Sequence, residues 1–175
     1  MTPEQQAKAE IAKSLMSRAQ DIDSLWCDLY EQGLVRIEAG MWTRDGLVIG
    51  VKRDTASVFH HDTHQTWTWS LENLIPDFNA ATTKGLLLEQ ARVLWDDPIF
   101  AVVCLYHPQD VQQWRCWSER NGWDSKFNIT LNNADIHFPT EAAAILTGIA
   151  ASALTEAEYE AMKDSFKALD NQENG

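Results

Sequence analysis

Apolar residues recur every three or four positions at the start of the chain. Ile11, Leu15, Ala19, Ile22, Trp26 and Leu29 fall on one stripe of a helix. Thr2 can cap that helix, Pro3 suits its first turn, Glu4 and Gln5 complement its dipole, and Gly33 supplies the stop. So continuous a stripe needs a surface to lie on, which predicts a long N-terminal helix packed against the rest of the protein.

The period then changes from helical spacing to alternation. Residues 40–69 read as a strand meander with three turn signals. Asp45-Gly46 is the strongest of them, and a two-residue loop centred there pairs Arg44 with Leu47 and Trp42 with Ile49. A turn at Asp54-Thr55 pairs Val51 with Val58 and Ile49 with His60. A third, at Asp62-Thr63, pairs Val58 with Trp67 and Ala56 with Trp69. Together the registers place Trp42, Leu47, Ile49, Val51, Val58, Trp67 and Trp69 on one inward face, with Thr43, Val48 and Lys52 on the other.

Later elements follow from similar signals. Ser70 to Leu74 reads as a short turn ended by Pro76, and Thr83 to Trp95 as a helix with Leu87, Ala91 and Leu94 or Trp95 inward. Ile99 to Tyr106 is a continuous apolar run, expected to be a central strand covered on both faces. Gln109 to Asn121 reads as a helix closed by Gly122. Phe127 to Leu131 and Ala134 to Phe138 read as strands joined at Asn132-Asn133, and Thr140 opens an alanine-rich helix. Thr155 and Glu158 form a capping box ahead of a charged helix that runs to about Leu169. The resulting class is α+β: an antiparallel meander packed against a long N-terminal helix, with further strands and C-terminal helices. Residues 1–138 are expected to form the core domain and 139–170 a helical segment packed on it, leaving 171–175 as a frayed tail.

Charge alters the functional picture more than the structural one. The chain of 175 residues carries a net charge of −12, and from Asn132 onward eight acids face only Lys163 and Lys167. Direct binding of DNA, RNA or an anionic membrane surface requires the opposite sign. A partner protein with a basic surface is compatible with it. Cys27, Cys104 and Cys116 form no CxxC pair and no even-numbered framework, which fits a reducing compartment. The first twenty residues have no apolar signal core, so the expected location is cytoplasmic.

Candidate chemistry is sparse. In FHHDTHQTWTW, residues 59–69, the meander puts His61 and His64 opposite each other across a turn, at a separation that lets two imidazoles share one metal ion. Asp62 is the candidate third ligand; the plainer reading is a polar turn facing solvent. No GxSxG elbow, phosphate loop or HExxH pair occurs, so no catalytic residue and no cofactor is assigned. Eight tryptophans are the most unusual feature. Trp26, Trp42, Trp67 and Trp69 are assigned to packing. Trp114, Trp117 and Trp123 gather with Arg115 and Arg120 around the helix expected at 109–121, and those residue types dominate interface hot spots. Glu156, Glu158, Glu160 and Asp164 make the outer face of the last helix acidic.

These observations favour a non-catalytic, acidic protein-binding module of inhibitor, immunity or adaptor type. In its sharper form it covers a basic, nucleic-acid-binding surface of its partner. A chaperone-like dimer of the secretion or assembly type, holding a client in an apolar groove, is the second expectation. A metal-dependent hydrolase built on His61, His64 and Asp62 is the third.

Overall fold

The computed structural model describes residues 21–106, 112–117 and 138–153. Asp21 has non-helical backbone, and its carboxylate accepts the Ser24 N–H at 3.1 Å and the Ser24 hydroxyl at 2.8 Å. Helix α1 (Ile22–Glu31) therefore starts at this cap. The expectation of one uninterrupted helix from Thr2 to Leu29 is corrected here: a short acidic side chain diverts the first free backbone donors. Trp26 and Leu29 are buried and Ile22 packs against the core, as the stripe requires, and Leu25, outside the expected stripe, is buried with them. At the far end Gly33 (φ +71°) donates to Tyr30 O, and Leu34 donates to Leu29 O at 2.9 Å, which closes the helix in a Schellman motif.

Four antiparallel strands follow in sequential order: β1 (Trp42–Thr43), β2 (Gly46–Lys52), β3 (Thr55–His60) and β4 (Gln65–Ser70). The third turn has the expected register, with Val58 opposite Trp67 and Ala56 opposite Trp69. The first two are each centred one residue earlier than expected. Thr43 pairs with Gly46, so Arg44-Asp45 forms the first turn, and Lys52 pairs with Thr55 around Arg53-Asp54. Gly46 explains the first shift: at φ +140°, a Cβ on it would lie 2.2 Å from the Phe59 carbonyl oxygen. Its bare backbone is needed for that approach, not for the turn centre. Between Val48 and Gly50 the ladder also carries a bulge, which leaves Ile49 unpaired and 52% exposed.

The combined effect reverses part of the assigned facing. Val48, expected outward, is fully buried with Ala56 and Val58, and Thr43 is buried beside them. Ile49, expected inward, is exposed, while Val51, Trp67 and Trp69 keep the face of buried Ala56 and Val58 and are exposed all the same.

Helix α2 (Ala81–Trp95) docks on β1 through a buried hydroxyl. Thr83 Oγ1 accepts the Trp42 N–H at 2.9 Å and lies 3.1 Å from the Trp42 carbonyl, to which it donates. Farther along the helix, buried Gln90 accepts the Arg36 N–H at 3.0 Å and donates to the Arg36 carbonyl at 2.9 Å, tying down the segment after α1.

A second sheet pairs β5 (Ala101–Tyr106) with β6 (Gln112–Trp117). Ala101 to Cys104 are half-buried, so the apolar run is not a strand covered on both faces as expected; buried Phe100, just ahead of it, fills the core. The helix expected at 109–121 is likewise corrected to strand β6. Trp114 exchanges backbone hydrogen bonds with Phe138 at 3.0 and 2.9 Å while the strand also pairs with β5, so its polar groups are met from two sides.

Helix α3 (Glu141–Ser152) is capped by Thr140, whose side chain accepts the Ala143 N–H at 3.1 Å. Every residue from Ala142 to Ala151 is buried, and the helix packs against α1, α2, β5 and β6. The molecule is thus an α+β fold with a four-stranded antiparallel sheet flanked by N-terminal and C-terminal helices. The stripe residues Ile11, Leu15 and Ala19, the strand expected at 127–131, most of its partner and the charged helix after Thr155 lie outside the described residues. Among those described, no helix is long and apolar enough to cross a membrane.

Gly148 gives this packing a direct test. An added Cβ would come within 2.7 Å of Phe100 Cζ and 3.0 Å of Cys116 Sγ. Phe100 is itself stacked on Trp95 at 5.8 Å and cannot swing aside freely. Gly148→Ala is expected to destabilise by roughly 1–3 kcal/mol in denaturant unfolding, despite alanine's better helix propensity.

Candidate functional site

The candidate site is built on β4, Gln65-Thr66-Trp67-Thr68-Trp69-Ser70. One edge of this strand pairs with β3 along its whole length, and no described strand pairs with the other. Every residue from Gln65 to Trp69 is exposed. Trp67 and Trp69 share the sheet face of Val58 and Ala56, which are buried, yet they are 54% and 36% exposed. The covering layer therefore reaches β3 and stops short of β4. Val51, opposite Ala56 on the other side, is 39% exposed on the same face. Two indoles standing on an open strand edge form an apolar patch of the kind that marks an interaction surface.

The strand ends in the histidine turn. His60 pairs with Gln65, and the His61 and His64 rings meet at 6.0 Å with 57° between their planes. His64 (φ +54°) also sets its ring edge-on to Phe59 at 6.2 Å. The turn thus brings His61 and His64 together as the register implied. Among the described residues, however, no group of three His, Cys, Asp or Glu side chains converges as a metal ion would need, so Asp62 does not complete a ligand set with them.

The second expected cluster falls partly on strand β6 rather than on a helix. Trp114 is half-buried and packs against the core. Arg115 and Trp117 lie on β6, while Arg120, Trp123, Glu156, Glu158, Glu160 and Asp164 lie outside the described residues. A hollow of about 90 Å³ between the Gly33–Arg36 segment and Gln90, Val93 and Leu94 is far smaller than the roughly 300–1,000 Å³ of small-molecule sites.

Cys27 and Cys116 are poorly placed to act as nucleophiles. Cys116 is buried and its Sγ–H donates to the Ala144 carbonyl at 2.6 Å; burial pushes its pKa up to about 12. Cys27 is exposed on α1, and its pKa is raised by partial burial and then by the carboxylates of Asp23, Glu31, Asp28 and Asp21. Both shifts disfavour the nucleophilic thiolate.

The sequence pattern missed Trp67 and Trp69 as surface residues because alternation alone cannot say whether a layer lies above a strand. The available signal was the strand itself: six residues with no charge, at the end of a meander, where an edge is expected. No family model matches the chain, and no curated protein or solved structure matches it significantly.

Exposure of the two indoles has a measurable signature. Trp67→Ala should change stability by no more than about 0.5 kcal/mol, whereas Trp95→Ala should cost roughly 3–5 kcal/mol. Acrylamide should quench a component of the native fluorescence that Trp67→Ala removes. For the thiols, neutral-pH alkylation of the native protein should reach Cys27, more slowly than a free thiol, and should reach Cys116 only on unfolding.

Proposed function

We propose that this protein is a non-catalytic, acidic binding module of inhibitor, immunity or adaptor type, and that the tryptophan-bearing edge of its sheet contacts the partner protein. The observation that carries the reading is the exposure of Trp67 and Trp69 beside a strand edge that no described strand pairs. Exposed tryptophan is costly to leave in water and rewarding to bury, which is why it concentrates at interface centres. The net charge of −12 supports a partner with a basic surface, drawn in by long-range attraction and then held by apolar contact.

Two kinds of contact give two separable responses. Tagged wild-type protein and a Trp67→Ala/Trp69→Ala variant are used to capture partners from native lysate, with washes at low and then high salt. The expected result is a stoichiometric protein held by the wild type and lost by the variant. Partial release at high salt would assign the salt-sensitive part of the attraction to the carboxylates, since the screening length falls from about 8–10 Å near physiological salt to about 3 Å at 1 M. Equal capture by both proteins would show that the edge is not the contact surface.

A further inference from the structure

We infer that β4 is a self-association edge, and that two copies of this chain join their sheets through it into one continuous antiparallel sheet. Open strand edges are ordinarily guarded by lysine, proline, a bulge or an inward charge. β4 has no charged residue and no proline, and the bulge found in the described part of the sheet lies on β2. In a chain of net charge −12 most surfaces repel a second copy, and this strand is a place where two copies can approach without setting carboxylate against carboxylate.

The order of residues selects the partner. An isologous contact must be complementary to itself about a two-fold axis. Thr66-Trp67-Thr68-Trp69-Ser70 is close to a palindrome about Thr68. With Thr68 opposite Thr68 of the second copy, Trp67 meets Trp69 and Thr66 meets Ser70, at both ends of the ladder. Directly opposed residues share a face, so one side of the joint carries four indoles and the other only hydroxyls. Aromatic pairs and threonine or serine pairs are both favourable cross-strand neighbours. The same register sets Glu72 toward His64 of the second copy. The competing register, centred on Trp67, sets Glu72 toward Asp62 and Gln65 against Trp69, which places two acids together. The contact is small beside standard interfaces of roughly 1,200–2,000 Å², so the dimer is concentration-dependent. It rests on the same open edge as the binding reading above and is tested apart from it, by self-association.

Sedimentation velocity across a concentration series, up to hundreds of micromolar, tests the dimer directly. The wild type should shift from monomer to dimer, and Thr68→Lys, which sets two ammonium groups across the axis, should remain monomeric with an unchanged far-ultraviolet circular dichroism spectrum. Register is tested in a Cys27→Ser background: under mild oxidation Thr68→Cys should cross-link to itself, and Thr66→Cys, which faces Ser70, should not. A wild type that stays monomeric throughout overturns the inference, including the case in which hydrogen exchange finds the β4 edge protected by another part of the chain. So does a dimer that persists in Thr68→Lys, or equal cross-linking by the two cysteine variants. If the dimer fails while Trp67→Ala/Trp69→Ala still loses a captured partner, the binding reading stands alone.

Discussion

The close approach around Gly148 is the constraint on which the rest of the described structure depends. Helix α3 is apolar on every side, and such a helix is stable in water only when neighbours cover all of it. At Gly148 the missing side chain lets Phe100 and Cys116 come against the helix backbone. The carbonyls exposed there are met by side chains from two different elements. Trp95 Nε1–H donates to Gly148 O at 2.9 Å from α2, and Cys116 Sγ–H donates to Ala144 O at 2.6 Å from β6. One helix face thereby fixes where α2 ends and where the second sheet lies. A larger residue at position 148 would move Phe100, and Phe100 is stacked on Trp95, so the disturbance would pass into α2.

That geometry also explains which parts of the fold were legible in the sequence. Helix α3 announced itself through Thr140 and an unbroken alanine-rich run, and α1 through Ile22, Trp26 and Leu29 with Gly33 behind them. Both are local signals: a cap, a periodic stripe, a stop. The third hairpin was legible for a similar reason, since a turn and its flanking alternation lie in one short window. The first two registers were not, because the position of Gly46 is decided by the carbonyl of Phe59, thirteen residues downstream in the sequence. β6 was missed on the same ground. QQWRCW has no strong strand alternation, and it is a strand because β5 on one side and Phe138 on the other complete its hydrogen bonds. Non-local pairing overrode local propensity.

The tryptophans divide along the line that separates these two kinds of signal. Trp26 and Trp95 sit on helices, where period and burial coincide, and both are at most 2% exposed. Trp95 satisfies its ring N–H inside the core, as a buried indole must. Trp67 and Trp69 obey the alternation of their strand equally well, yet the layer that buries Ala56 and Val58 does not extend over them. Periodicity states which residues share a face. Whether that face is covered depends on the width of the neighbouring layer, and a strand at the end of a meander is the first to be left out.

An uncovered strand of that composition is unusual in an acidic protein. Carboxylates are inexpensive on a surface, and a single one within β4 would guard the edge against unwanted pairing. The chain places Asp62 and Glu72 just outside the strand and none within it, while the alternating positions hold threonine and tryptophan. Threonine and tryptophan are strong strand formers, so β4 is held extended by its own residues as well as by β3. An edge that is already straight and already paired on one side loses little conformational freedom when another strand joins it. Acidity on the flanks and neutrality at the centre fit the proposed joint together: the flanks set carboxylates against indiscriminate stacking of copies, and the register centred on Thr68 gives backbone, hydroxyl and indole a partner each.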